Sequence, residues 1–234
     1  TVKRTAVGEF ANIRSNGLKA LTLHEDDELS NVLMTDGQQN IFIGTHNGYA
    51  VSFSETAVRS MGRTAAGVRG IRLREGDYVV GSDLLIPGQE ILVISEKGYG
   101  KRTAVSDYPI KGRGGKGIKT ANITEKNGPL AGIAAVTGEE DILLITDTGV
   151  LIRFKVANVS QTGRATLGVR LIRVDDEAKV ATMAKVEAEP DEPETQNATT
   201  EPTVPTENVT DTGLAQVDDL LARAEENQNE PNND

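Results

Sequence analysis

A unit of roughly fifty residues recurs through this chain, and it fixes both where strands end and where cations fall. Segments reading QNIFIGTHN (Gln39–Asn47), QEILVISEK (Gln89–Lys97) and EDILLITDT (Glu140–Thr148) each run into a glycine: Gly48, Gly98 and Gly149, spaced 50 and 51 residues apart. A second series, Gly17, Gly67, Gly117 and Gly168, is spaced 50, 50 and 51. Two residues after each lies a cation (Lys19, Arg69, Lys119, Arg170). Three or four before each lies another (Arg14, Arg63, Arg113, Arg164). A period of this length points to a propeller or a related array, in which one small sheet per repeat stacks on the next.

Within a unit the apolar residues mark strands. Ile41-Phe42-Ile43, Ile91–Ile94 and Ile142–Ile145 are short, β-rich and bounded by turn residues. Asp36-Gly37, Asn47-Gly48, Pro87-Gly88, Lys97-Gly98 and Thr148-Gly149 suit tight hairpin loops. A typical unit then reads as four strands, exemplified by Tyr99–Val105, Gly117–Ile123, Leu130–Val136 and the ILLI strand. Such a sheet has two faces and buries neither alone, whereas stacked neighbours bury both. Unit boundaries fall at about 1–47, 48–97, 98–148 and 149–186. The fold class expected is all-β: a propeller-like array of four-stranded blades. The first unit lacks its leading glycine and the last lacks its ILLI-type strand, so the array is expected to extend upstream of Thr1.

The formal charge of −10 averages two unlike segments. Between Glu187 and Asp234 there are 14 acids and one base, Arg223, which leaves −13 there and +3 on residues 1–186. The first segment holds every Phe and Tyr and 23 of the 24 glycines, so it is the globular body. The second has too little apolar surface to offset the entropy of ordering it and is expected to be a disordered acidic tail. Leu214, Val217 and Leu221 allow a short amphipathic helix over 214–226. That helix is either a transient feature of a solvated tail or a sign that the tail folds back on the body and competes with a polyanion.

The loops around the second glycine series carry the chemistry. The third reads Lys111-Gly112-Arg113-Gly114-Gly115-Lys116-Gly117-Ile118-Lys119, in which glycines permit close backbone approach and four cations surround them. Its equivalents are Arg59–Arg63 running to Arg69, Gln161–Arg164 running to Arg170, and Arg14–Gly17 with Lys19. One Gly-Arg loop is ordinarily a solvated turn. Four in register put their charges on one edge of successive blades, giving a rim of at least eight cations. Lys101, Arg102 and Arg153, near the starts of first strands, are expected to widen it. Such a rim can hold a bent duplex through phosphate contacts without reading sequence. Few aromatics are available for stacking single-stranded bases, so duplex DNA is the expected partner.

Other chemistries lack residues. The loop does not have the G-x-x-x-x-G-K-[ST] spacing of a phosphate-cradling P-loop, and no helical pattern follows it. With His24 and His46 alone, no Cys and no clustered metal ligands, a hydrolase has little support. Asp26-Asp27, Glu139-Glu140 and Asp175-Asp176-Glu177 read as hydrophilic turns. No apolar run approaches the ~18 residues that span a bilayer, and neither a secretory signal nor a disulfide framework is expected. A cytoplasmic setting is expected.

Gly98-Tyr-Gly-Lys-Arg-Thr-Ala-Val105, Ser60-Met-Gly-Arg63 and Gly67-Val-Arg-Gly-Ile-Arg72, with the repeat spacing, resemble the C-terminal domain of the A subunit of bacterial DNA gyrase over residues 1–186. An acidic tail also follows the body in that family. The resemblance implies a β-pinwheel, a propeller variant with six blades and exchanged strands, which wraps DNA around a basic rim. It implies support of ATP-dependent negative supercoiling by an A2B2 type II topoisomerase. The further partners implied are a second A subunit, together with the B subunit of gyrase. ATP and Mg2+ would act at sites outside this chain, and work would proceed in the cytoplasm at the nucleoid. The family's Q-R-R-G-G-[KR]-G box is matched at five of seven positions by Lys111–Gly117, but in a later repeat than the family's. No tyrosine here lies in the family's nucleophile motif, so no catalytic residue is carried over. The C-terminal domain of the A subunit of topoisomerase IV is the alternative within the family, and a protein-binding propeller the alternative outside it.

The charge split yields one expectation directly. Deleting residues 187–234 should strengthen duplex binding at low salt, because the tail's charge competes for the same rim. Mobility-shift titrations of the full chain and of residues 1–186 would check this, and equal affinities would leave the tail a solubilising extension.

Overall fold

The computed structural model describes residues 1–175 and 177–188. Apart from its first two residues the expected acidic tail lies outside them, as does its candidate helix over 214–226. The strands run, in chain order, β1 Asn40–Thr45, β2 Tyr49–Ser54, β3 Val79–Leu84, β4 Glu90–Ser95, β5 Tyr99–Ala104, β6 Ile118–Lys119, β7 Leu130–Val136, β8 Asp141–Thr146, β9 Leu151–Lys155, β10 Val169–Arg170 and β11 Val180–Val186. They form three antiparallel sheets, ordered β3-β1-β2-β6, β10-β5-β4-β7 and β11-β8-β9. Among the described residues there is no α-helix.

The first glycine series closes three equivalent hairpins. The N–H groups of Gly48, Gly98 and Gly149 donate to Thr45, Ser95 and Thr146 carbonyls at 3.0 Å each. All three glycines have positive φ (78°, 74° and 84°), the left-handed position of a three-residue hairpin loop. The side chains of Thr45, Ser95 and Thr146 are buried yet satisfied, since each hydroxyl accepts the N–H of the residue after the glycine. A short 3-10 turn then ends each hairpin, at Glu55–Ala57, Val105–Asp107 and Val156–Asn158.

The sheets do not coincide with the sequence units. Each hairpin straddles a unit boundary, and its third strand arrives only after the chain has made an excursion to the preceding sheet. Thus β4 pairs with β5 and β7, while the outer edge of β5 receives β10 from the next repeat, in the register Val169↔Gly100 and Arg170↔Tyr99. In the same way β6 adds to β2, with Ile118↔Ala50 and Lys119↔Tyr49. The second strand expected over Gly117–Ile123 is therefore a two-residue exchanged strand, because beyond Lys119 the chain turns back to its own blade. In the first unit the exchange leaves the isolated bridge Val2↔Val68. Leu29–Met34 holds the phase of β3 but has no hairpin beside it among the described residues, and Val32 and Met34 remain largely exposed.

Exchange explains the unbroken Ile91-Leu92-Val93-Ile94 run. Ile91 and Val93 pack toward the first sheet with Phe42, Ala50, Tyr108 and Leu130. Leu92 and Ile94 pack toward the third with Ile142, Leu144, Val156 and Ile172. A strand buried on both faces has no polar face to alternate with. The outer face of the first sheet is covered by Val58, Ile71 and, from the first unit, Val2.

The second glycine series marks the crossings. A Cβ on Gly117 would stand 2.7 Å from the Ala50 carbonyl oxygen, and on Gly168 2.7 Å from that of Gly100. Both residues also have positive φ. Gly117→Val should therefore cost ~2 kcal/mol or more and lower Tm by about 5 °C or more. Gly112→Ala, at a position with no atom within 4 Å of the added Cβ, should stay within about 0.5 kcal/mol; thermal unfolding of both variants checks the contrast.

Candidate nucleic-acid interface

Each excursion carries one of the cationic loops to the outside of the preceding sheet. The third is fastened at both ends: Lys111 N–H donates to the Ser52 carbonyl at 2.8 Å, and Ile118 and Lys119 pair with Ala50 and Tyr49. The loop thus runs along the outer edge of β2. At the other end of the sheets the third strands meet, with β7 packed against both β3 and β11. Third strands therefore line the inside, and the cationic loops form the outer rim.

Neighbouring loops are tied together by the arginines themselves. Arg63 Nη1 donates to the Lys19 carbonyl (3.4 Å), Arg113 Nη1 to that of Arg69 (3.0 Å), and Arg164 Nη1 to that of Lys119 (3.1 Å). Arg113 Nε adds a bond to the Ala57 carbonyl. A second link lies beside each of these, from Thr22 Oγ1 to Thr64 O, Arg72 N to Gly115 O and Asn122 N to Thr166 O. The two cation series found in the sequence thus meet across the seams between repeats, the member before the glycine clasping the member after the glycine of the preceding loop. A guanidinium has five donors in a planar fork, so one or two bonds to carbonyls leave the charge and further donors available for an anion.

Arg14, Lys19, Arg69, Lys111, Arg113, Lys116, Lys119 and Arg170 are exposed, while Arg63 and Arg164 are half-buried at the seams. The backbone of Lys116 is held by Arg74 Nη1 at 2.8 Å, and Arg74 in turn lies over the Tyr49 ring, 3.2 Å from its centroid. Arg170 donates to the Tyr99 hydroxyl from both Nε and Nη2. The tyrosines that follow the hairpin glycines are therefore seats for cations on the rim.

Three expected rim residues do not reach it. Lys101 is wholly buried, with its ammonium bonded to Gly163 O, Arg164 O and Thr166 Oγ1. Its register on β5 points it under the fourth loop rather than outward. Arg102 pairs with Glu90 at 2.6 Å and donates to the Val159 and Ala157 carbonyls, which fixes the 3-10 turn of the next repeat. Arg153 pairs with Asp141 at 2.8 Å and donates to Glu187 O. In each case position on a paired strand, not in the loop, decides the direction of the side chain.

The loop glycines also differ from expectation. Gly117 approaches the chain's own β2 rather than a ligand, and Gly114 N–H is taken by the Gly70 carbonyl at 2.5 Å. Gly112 and Gly115 face open space. Arg72, exposed on the second seam, joins the rim, and the phase five residues after the glycine carries a second exposed cation, Arg173, in the fourth repeat. Thr22 and Asn122 hold that phase in the other two, so the cation recurs in alternate repeats and was readable there. Among the described residues no group of three or more His, Asp or Glu side chains converges as a metal site would, and no helix is long and apolar enough to cross a membrane.

The chain matches the family described as DNA gyrase C-terminal domain, β-propeller, over residues 1–36, 39–84, 89–137 and 140–187. The DNA gyrase A subunit of Staphylococcus aureus (strain MRSA252) is 53% identical over 193 residues, covering 82% of this chain and 22% of the relative. That of strain NCTC 8325 / PS 47 is 54% identical over 187 residues, covering 79% and 21%. The chain thus spans about a fifth of the length of these curated relatives. Among solved structures, a C-terminal domain of DNA topoisomerase IV superposes with TM-score 0.75 at 28% identity, covering 79% of this chain and 58% of that one. A DNA gyrase A C-terminal domain superposes with TM-score 0.67 at 25% identity, covering 73% and 58%.

The pairing of Arg102 with Glu90, away from the rim, has a measurable consequence. Arg102→Met strips the mostly buried Glu90 carboxylate of its partner and should cost about 2 kcal/mol of stability. The slope of log affinity for duplex against log salt should stay as in the unaltered chain, because no phosphate contact is lost; denaturant titration and mobility shift separate the two effects.

Proposed function

Because the chain belongs to the DNA gyrase C-terminal domain family, we propose that it binds double-stranded DNA along the outer rim and bends the duplex around it. The observation that carries this reading is the continuous seam of loops, in which Arg63, Arg113 and Arg164 each clasp the loop before. Cations so arranged follow the curvature of the stacked sheets and meet successive phosphates, without a base-reading element among them. Bending a site of 20–30 base pairs costs on the order of 1–6 kcal/mol, which several charge-assisted phosphate contacts offset. Tyr49 and Tyr99 are occupied by Arg74 and Arg170, which supports duplex over single-stranded DNA.

In the larger enzyme the bent duplex would present a crossed segment for strand passage, so that ATP-driven turnover introduces negative supercoils. The B subunit, together with a second A subunit, would engage through parts of the protein outside this chain. ATP and Mg2+ would act in those parts too, and the setting would be the bacterial cytoplasm at the nucleoid.

Each phosphate neutralised on B-DNA contributes about −0.9 to the slope of log affinity against log salt. If about four of the exposed rim cations engage, the slope should be about −4. Lys116→Ala should weaken binding to unrelated duplexes alike and make the slope shallower by about 1. Mobility-shift titrations over a range of salt test both numbers, and a flat salt dependence would remove the reading.

A further inference from the structure

Lys101 is a cation buried beneath a cationic loop. Its side chain is 0% exposed, and its three ammonium protons are all used on the fourth loop: Gly163 O at 2.8 Å, Arg164 O at 2.5 Å and Thr166 Oγ1 at 3.1 Å. The ammonium therefore sets the arch on which Arg164 stands. Burial first, and then the Arg164 guanidinium, bring its pKa down to about 8. The acids at the two ends of the neighbouring β4, Glu90 at its start and Glu96 just past its last residue, turn elsewhere, Glu90 to Arg102 and Glu96 to His46 and Lys179. Tyr108 also feels Arg164, but burial raises its phenol above the ordinary range, so it stays neutral where Lys101 titrates. Arg170 is turned to the Tyr99 hydroxyl.

The arrangement occurs twice. Lys3-Arg4-Thr5-Ala6-Val7 repeats the sequence Lys101–Val105. Lys3 Nζ donates to the carbonyls of Ala20 and Arg63, with its pKa lowered by burial and by Arg63. In the second and fourth repeats the same position is Val51 and Ile152. Alternate seams thus rest on a lysine.

We propose that Lys101 is a proton-linked positioning residue for polyanion binding: an anion seated at Arg164 and a proton on Lys101 stabilise one another, so that loading the fourth loop with duplex DNA draws a proton from solvent. Lys3 does the same beneath Arg63. This rests on the reading of the rim as a duplex-binding surface. A phosphate on Arg164 cancels the like-charge repulsion, so the ammonium of the loaded protein holds its proton to higher pH. The sign follows: affinity is full below the free-state pKa of about 8 and declines as pH rises through it towards the loaded-state pKa. A one-unit difference between the two states would amount to about tenfold in affinity.

Calorimetric titration of the full chain with a short duplex, in buffers of differing ionisation enthalpy near pH 8, reads the proton uptake directly. The unaltered chain should take up protons on binding, Lys101→Met should take up measurably fewer and show a flatter affinity profile from about pH 7 to about pH 9, and Val51→Met should behave as the unaltered chain. If Lys101→Met fails to fold, an NMR titration of the lysine ammonium groups in the unaltered chain serves instead, with the Lys101 pKa expected to rise on loading. Duplex binding with equal proton uptake in all three chains, or an unmoved Lys101 pKa, overturns the linkage while leaving the rim intact. Absence of duplex binding at any pH overturns both.

Discussion

The structure depends on one covalent detour: between their second and third strands the third and fourth repeats each leave their own sheet, add a two-residue strand to the sheet before, and return. In the second repeat the same excursion makes the bridge Val2↔Val68. The detour closes the outer edges of β2 and β5, which would otherwise present unpaired N–H and C=O groups to solvent. It also brings backbone within van der Waals range of backbone, at Gly117 over Ala50 and Gly168 over Gly100. The contact excludes a Cβ and demands a left-handed φ, and glycine answers both requirements. The rim's cations ride on this detour, so the interaction that completes each sheet also orients the charges.

Placing charge this way has an energetic logic. Long side chains lose rotamer freedom when they bind, at a cost of up to ~2 kcal/mol each. Arg63, Arg113 and Arg164 have already lost part of that freedom to carbonyls of the neighbouring loop. Anchoring through backbone carbonyls keeps their charge undiminished, as pairing with carboxylates would not. Arg102 and Arg153 do pair with carboxylates, and both stand on paired strands rather than in the loops.

Much of this was legible in the sequence because a repeat samples one environment several times. The period gave the hairpins, the glycine phases and the cations that share a seam. The route of the chain was not legible, since alternation within Leu130–Val136 reports burial on a sheet but not which hairpin it joins. For the same reason Lys101 and Arg102 read as loop-flanking cations: adjacent residues on β5 point to opposite faces, one under the next loop and one to Glu90, and nothing in the string KRT shows that both faces are covered. The identity of Lys3–Val7 with Lys101–Val105 was the available clue that this position serves a seam.

The detour also sets a timetable. The edge of β5 is complete only when Val169 and Arg170 reach it, some 65 residues further along the chain. At a synthesis rate of about 5–20 residues per second, that edge stands open on the ribosome for roughly 3–13 seconds. Each sheet must wait for its successor to be translated, so the blades mature one behind the other, in the order in which they are made.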